Sequence, residues 1–343
     1  MSNLNPNLKH RRRRKPEINV TEYVNRILAG DRVYLSKAIT LVESTLPVHQ
    51  EKAQAILSAC IPHAGQSLRI GITGTPGVGK STFIESFGKY LIEQGHQLGV
   101  LAIDPTSPLS KGSILGDKTR MEGLATDLRA FIRPSPAGES LGGVARKTRE
   151  TILLCEAAGF DIILLETVGV GQSEVTVHAM TDFFLLLLLP GAGDELQGIK
   201  RGIVEMADLI AINKADGDRL ALARQAKREY LRALHLYPLK ASQWQPQVSL
   251  CSAMENKGID EVWGHIQSYL KLTKENGYFE KNRQEQALFW LHETVQNRIR
   301  SLFYNNEQVQ RLMPNLEISV KKEELTPFQA AEQLMNIFLK KLS

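Results

Sequence analysis

The sequence has no long hydrophobic run. The longest one extends from Phe183 to Leu189 and ends at Pro190, well short of the roughly 20 apolar residues that a membrane-spanning helix needs. We therefore expect a soluble protein with no membrane partner. Since 43% of the residues are hydrophobic and 23% are charged, the chain can form a sizeable core, which argues against a wholly disordered or fibrous protein.

The chain is also poor in cysteine. Its three cysteines, Cys60, Cys155 and Cys251, lie far apart and form no CxxC pair. This usage argues against a disulfide framework or a zinc site and fits a reducing compartment. The first residues lack the apolar segment of a secretory signal. We therefore expect a cytoplasmic protein.

Positive charge is concentrated in one short segment. The net charge is +5, and residues 9–15 alone contain six lysines and arginines. The rest of the chain is close to neutral, so no basic nucleic-acid-binding face is expected. We interpret residues 1–17 as a disordered, solvated tail, because a charge run usually is one.

The remaining chain changes periodicity twice. Apolar residues recur at helical spacing over residues 20–60 and again after Gly277, with a last helix from about Pro327. Between them, short apolar runs alternate with helical stretches, which predicts an α/β fold with a mostly parallel sheet. The expected domains are 18–64, a helical extension; 65–276, an α/β domain; and 277–343, a helical arm. The predicted strands are 68–73, 98–104, 161–166, 182–189, 208–213 and 248–252.

A phosphate-binding loop follows the first predicted strand. Residues 74–81 fit G-x-x-x-x-G-K-[ST] and precede a helical stretch at 82–92. Glycines in this context let backbone N–H groups converge on phosphates at a helix N-terminus. Lys80 is expected to reach the β- and γ-phosphates, and the Ser81 hydroxyl to bind Mg²⁺. The predicted phosphate-binding residues are Gly74, Thr75, Pro76, Gly77, Val78, Gly79, Lys80, Ser81 and Thr82.

A second motif predicts recognition of guanine. Asn213, Lys214 and Asp216 form an N-K-x-D motif after a predicted strand. A carboxylate accepts hydrogen bonds from guanine N1–H and the 2-amino group, whereas adenine leaves it unpaired, which supports strong discrimination. After the next strand, the backbone of Ser252, Ala253 and Met254 is expected to reach guanine O6. The predicted nucleotide is therefore GTP, with GDP as its product.

Acidic residues near other strand ends predict the metal shell. Glu166 begins an E-x-x-G sequence in which the Gly169 N–H can sense the γ-phosphate. Asp104 ends another predicted strand, and Asp117 lies in a glycine-containing loop. Such oxygen ligands suit Mg²⁺. Val170 stands where Ras-type GTPases have a glutamine, so slow intrinsic hydrolysis is expected.

These motifs resemble those of the MeaB/ArgK family of GTPases, which includes the methylmalonic aciduria type A protein. The resemblance covers the chain from about residue 20 to its end. It is carried by the sequences GTPGVGKST at 74–82, DPTSP at 104–108, ILGDKTRM at 114–121, ETVGVGQSE at 166–174, PGAGDELQGIKRG at 190–202 and NKADGD at 213–218.

The resemblance implies a P-loop G domain, a helical extension and a C-terminal arm that forms a homodimer. It assigns four residues to the Mg²⁺ shell: Ser81, Asp104, Asp117 and Glu166. It assigns four to the catalytic centre: Lys80, Asp104, Glu166 and Gly169. Gln197 and Lys200 would form an additional switch. It also implies a client: an adenosylcobalamin-dependent acyl-CoA mutase, chiefly methylmalonyl-CoA mutase, whose cofactor loading the GTPase gates. An adenosyltransferase is a further possible partner.

Three alternatives remain open. A P-loop kinase linked to basic amino acid transport would use the same phosphate loop, although it has no need of Asp216. An RNA- or ribosome-associated GTPase would use the basic segment at 9–15. A nickel chaperone GTPase is disfavoured, because the eight histidines are scattered.

Overall fold

The computed structural model describes residues 18–103, 121–134, 141–167, 173–191 and 201–340. Five of the predicted site residues lie outside these ranges: Asp104, Asp117, Gly169, Gln197 and Lys200. The chain divides into two compact units. Met1–Ser67 and Glu150–Asp161 form the first unit, and Leu68–Arg149 and Ile162–Ser343 form the second. Within the described ranges, no helix has the length and apolar character to cross a bilayer.

The first unit contains three consecutive helices: α1 (Val20–Leu28), α2 (Arg32–Glu43) and α3 (Pro47–Cys60). The side chains of Asn19 and Asp31 accept hydrogen bonds from the first free N–H groups of α1 and α2, as good N-caps do. Each of the three helices buries part of its apolar residues, among them Ile27, Leu35 and Ile56. The predicted helical character of this segment is thus confirmed.

The second unit is built on a seven-stranded sheet in which every strand pairing is parallel. Its order is β3-β2-β4-β1-β5-β6-β7. The strands are β1 (Leu68–Gly74), β2 (Leu98–Ile103), β3 (Ala130–Arg133), β4 (Ile162–Thr167), β5 (Phe183–Leu188), β6 (Leu209–Ile212) and β7 (Gln247–Leu250).

Helices cover this sheet and extend beyond it. They are α4 (Lys80–Glu93), α5 (Glu122–Thr126), α6 (Leu141–Ala157), α7 (Ser173–His178), α8 (Arg201–Met206), α9 (Leu220–Leu234), α10 (Ile259–Glu275), α11 (Tyr278–Tyr304), α12 (Glu307–Lys321) and α13 (Pro327–Lys340). Residues of α6 from Glu150 onward belong to the first unit.

The α/β class and six of the strands agree with the sequence-based prediction. The strand β3 was missed. It lies at one edge of the sheet, and its apolar run is only three residues long, because Arg133 and Pro134 follow Ile132. Strands β2, β4, β5 and β6 are buried throughout, which explains why they appear in the sequence as continuous apolar runs.

Polar contacts attach the base of the long helix α11 to the segment before β5, within the second unit. Arg283 binds both carboxylate oxygens of Asp182 at 2.7 Å, through Nε and Nη2. One turn further, the Gln286 amide donates to Thr181 O at 2.7 Å, and the Trp290 indole donates to Ala179 O at 2.8 Å. Helices α12 and α13 then pack on each other through a small apolar cluster that includes Val309 and Leu334. The predicted C-terminal helices are thus confirmed.

Gly71 allows α7 and the start of β5 to pack closely against the central strand β1. A Cβ atom at this position would lie 2.8 Å from Phe184 Cδ2 and 3.1 Å from both Val177 Cγ1 and Thr181 Cγ2. These neighbours are stiff aromatic and β-branched side chains. By contrast, a Cβ atom at Gly99, in β2 of the same sheet, would make only ordinary contacts at 3.6 Å or more.

We expect Gly71→Ala to lower the free energy of unfolding by about 1–3 kcal/mol, because the added methyl overpacks this contact. Gly99→Ala is the matched control and should change the free energy by less than about 1 kcal/mol. Urea denaturation followed by circular dichroism measures both. Equal stability of the two variants would contradict the packing argument.

Candidate functional site

A tight loop joins β1 to α4 at the carboxyl edge of the sheet. The last residue of the loop, Gly79, has φ +92°, and a Cβ atom there would lie 3.0 Å from Asn213 Nδ2. Only glycine fits this combination of backbone and neighbour. The loop therefore delivers the N-terminus of α4, with its free N–H groups, to the point where the sheet ends.

Lys80 is the first residue of α4 and its side chain lies over this loop. Its ammonium donates to Gly74 O at 2.7 Å and to Thr75 O at 3.3 Å. Burial lowers the pKa of Lys80, and the charges of Glu166 and Glu174 oppose that effect. The hydroxyl of Thr75 is buried and has no hydrogen-bond partner among the described residues. The loop thus combines a cation with an unused polar group.

Glu166 and Ser81 bring two oxygen atoms together beside Lys80. Ser81 Oγ donates to Glu166 Oε1 at 3.4 Å, and Glu166 is 5% exposed near the end of β4. A hydroxyl and a buried carboxylate at this spacing are the kind of hard oxygen donors that Mg²⁺ prefers. The residues present therefore fit a magnesium ion next to the phosphate-binding loop.

Glu174 was given no role in the sequence-based prediction. It is completely buried on α7, and its charge acts on the Lys80 ammonium. It lies one helical turn before Val177, the residue that faces Gly71 of β1. In the sequence, Glu174 stands out only as the last residue of the motif at 166–174. A glutamate in a loop motif gives no sign that its side chain is buried.

The side chain of Asn213 connects the phosphate-binding loop with two loops at the ends of β6 and β7. Its amide nitrogen donates to Val78 O at 2.9 Å. Its amide oxygen accepts from the Ala253 N–H at 3.2 Å and from Cys251 Sγ at 3.7 Å. Burial raises the pKa of Cys251 to about 12, so its thiol remains a protonated donor at neutral pH.

Asp216 and Lys214 complete this region. The carboxylate of Asp216 accepts from Ser252 Oγ at 2.5 Å, and the Lys214 ammonium donates to Gly77 O at 2.8 Å. Ser252 and Ala253 are buried, whereas Met254 is 83% exposed. The structure therefore brings Asp216, Ser252 and Ala253 together, with Met254 at the exposed end of the same loop.

The chain matches the family model described as methylmalonyl Co-A mutase-associated GTPase MeaB over residues 35–308. It is 45% identical to the GTPase ArgK of Escherichia coli, covering 93% of this chain and 96% of that protein. It is 46% identical to the mitochondrial methylmalonic aciduria type A homolog of Mus musculus, covering 91% and 78% respectively. A crystal structure of a LAO/AO transport system kinase is similar as well, with a TM-score of 0.74 and 39% identity over 94% of this chain and 99% of that chain.

Asp216→Asn is expected to weaken GTP binding more than about a hundredfold, because the new amide presents a donor to the guanine 2-amino group. The same change should improve binding of xanthosine triphosphate, whose C2 carbonyl accepts that donor. Asp218→Asn, at an exposed position of the same loop, is the control and should leave both affinities unchanged. Calorimetric titration measures them. Retained GTP affinity in Asp216→Asn would refute base recognition by this carboxylate.

Proposed function

Because the chain is a GTPase of the MeaB family, we propose that it uses GTP binding and hydrolysis to assist an adenosylcobalamin-dependent acyl-CoA mutase. Methylmalonyl-CoA mutase is the first candidate client. The proposed task is to gate loading of the cofactor and to protect or reactivate the mutase. Support for this client comes from the family description, which names a mutase-associated GTPase.

In the proposed mechanism, Lys80 and the backbone of residues 74–82 bind the phosphates. The hydrogen bonds of Lys80 to Gly74 O and Thr75 O would exchange for stronger ones to charged phosphate oxygens. Asn213 holds the loop against the base-binding segments, and Asp216 reads the base. The single observation that carries this assignment is the Asn213 side chain, which bonds to Val78 of the phosphate loop and Ala253 of the base loop at once.

We further propose that Ser81 and Glu166 help to hold Mg²⁺, together with Asp104 and Asp117. Bound at this place, the ion would neutralise charge that develops on the phosphates during hydrolysis. Ser81 and Glu166 lie beside Lys80, as the assignment requires. The roles of Asp104, Asp117, Gly169, Gln197 and Lys200 stay predictions. So do the domain boundaries, the cytoplasmic location, an adenosyltransferase as partner and the disordered tail.

We expect GTP turnover by the purified protein to be slow and to rise at least about tenfold when a methylmalonyl-CoA mutase from the same source is added. The reason is that Val170, not a glutamine, directly follows Gly169, so a partner is expected to complete the site. Phosphate release measures the rate, and Lys80→Ala gives the background. A rate that does not change with the mutase, while GTP still binds, would refute the client and leave the GTPase intact.

The kinase alternative is favoured by one observation, the name of the similar LAO/AO transport system kinase structure. The arrangement of Asn213, Asp216 and Ser252 argues for GTP instead, since a carboxylate in this place selects guanine. Turnover with ATP in place of GTP separates the two readings. Clear preference for ATP would favour the kinase.

We also propose that the C-terminal arm forms a homodimer. The 27-residue helix α11 carries a stripe of apolar side chains at spacings of three and four residues, and all of them are about half exposed or more. Such a stripe is the usual signature of a helix that packs against a partner helix. Its members are Leu288, Leu291, Val295, Ile299 and Leu302.

The double variant Val295→Glu with Ile299→Glu should shift the protein from dimer to monomer, because two carboxylates would be desolvated in the interface. Thr294→Glu introduces one charge at an exposed position of α11 outside the stripe, and should leave the dimer intact. Light scattering after size-exclusion chromatography measures the mass. If the double variant stays dimeric, the interface is elsewhere.

A further inference from the structure

A cavity of about 330 Å³ lies at the amino ends of β5 and β6, on the opposite edge of the sheet from the nucleotide site. Its lining comes from α7, α8, α10 and the first turns of α11, as well as from the strand starts. The volume is at the lower end of the range for small-molecule sites. Its position separates the cavity from the phosphate-binding loop, and its volume is large enough for a small organic compound.

Four of the uncharged polar side chains that line this cavity are His178, Tyr269, Tyr278 and Asn282. Tyr269 is 3% exposed. Over the described ranges, none of these four side chains makes a hydrogen bond to another protein group. Polar groups in protein interiors are normally paired. Tyr269 departs from this rule, and the half-buried His178, Tyr278 and Asn282 add three further polar groups that a bound molecule can reach.

The charged groups at the cavity are already committed to partners within the protein. The Lys240 ammonium donates to Met206 O at 2.8 Å, to Ala207 O at 2.7 Å and to Asp208 Oδ1 at 2.9 Å, which uses all three of its N–H donors. The cavity-lining Asp182 is bound on both oxygens by Arg283. An anion would thus find no lysine donor left at this wall.

Carboxylates outnumber ammonium groups among the residues that line the cavity: Asp182, Glu205 and Asp208 stand against Lys240. Burial and the charge of Asp208 both raise the pKa of Tyr269 and Tyr278. Burial lowers the pKa of His178, so its ring is neutral at pH 7 and one ring nitrogen can accept a hydrogen bond. The ring of Phe184 packs edge-on against His178 at 5.4 Å. Aromatic rings in such a lining add attraction for a cation.

We propose that this cavity binds a small organic ammonium ion. Its N–H groups would donate to the phenol oxygens of Tyr269 and Tyr278 and to the amide oxygen of Asn282. Its apolar part would lie against Phe184 and Met206, which also line the cavity. This chemistry uses three of the four unpaired side chains described above and leaves the ion pairs of Asp182 and Lys240 undisturbed.

Calorimetric titration of the full chain with n-butylammonium chloride, at constant ionic strength, tests the proposal. We expect saturable binding of butylammonium, at least about tenfold weaker binding of 1-butanol and none of butyrate, because only the ammonium supplies both charge and three donors. Absence of saturable binding by butylammonium would overturn the proposal. Equal affinity for 1-butanol would overturn it too, because the positive charge of the ligand would then contribute nothing to binding.

Single substitutions locate the binding site. Tyr278→Phe and Asn282→Leu should each weaken butylammonium binding about fivefold, the usual effect of one lost hydrogen bond. Tyr304→Phe, on the same helix but outside the cavity, is the matched control and should bind as the unchanged protein does. Circular dichroism checks that the variants fold, and Tyr278→Phe carries the test if Asn282→Leu does not fold. Unchanged affinity in a folded Tyr278→Phe variant would place the cation elsewhere and overturn the proposal.

Discussion

The parallel direction of all seven strands is the constraint on which the site depends. Because every carboxyl end lies at the same edge of the sheet, loops that are distant in the chain become neighbours there. The phosphate-binding loop follows β1, Glu166 lies near the end of β4, and Asn213 follows β6. Their contacts span separations of 85 residues between Ser81 and Glu166 and 135 residues between Val78 and Asn213. Reversing one of these strands would remove its loop from the site.

The opposite edge of the sheet is organised by two buried carboxylates. Asp182 accepts from the Arg69 N–H at 2.8 Å and Asp208 accepts from the Phe184 N–H at 2.9 Å. Each therefore satisfies a backbone donor at the start of a strand while it pairs with a cation, Arg283 or Lys240. Breaking such a pair leaves an uncompensated buried charge, which is strongly destabilising. The ion pair between Asp182 and Arg283 also joins the base of α11 to the sheet.

Much of the fold and part of the candidate site were predictable because their signals are local. The phosphate-binding loop occupies consecutive residues between an apolar run and a helix, and six strands are apolar runs bounded by turn residues. The strand β3 was missed because its apolar run, residues 130–132, is only three residues long. The burial of Glu174 and the cavity around Tyr269 were not predictable, since both result from tertiary packing; at the cavity, for example, Asp182 pairs with Arg283, 101 residues away in the chain. No sequence pattern gives the distance between such positions.

The position of β1 in the sheet has a consequence for how the chain folds during synthesis. This strand is the first in sequence, yet its neighbours are β4 and β5. While the ribosome adds the residues up to Ile162, at about 5–20 residues per second, the apolar segment Leu68–Gly74 has no strand to pair with. Only β2 and β3 can pair early. A newly made chain therefore exposes its future central strand for roughly ten seconds, and this interval is when aggregation or assistance by a general chaperone would act.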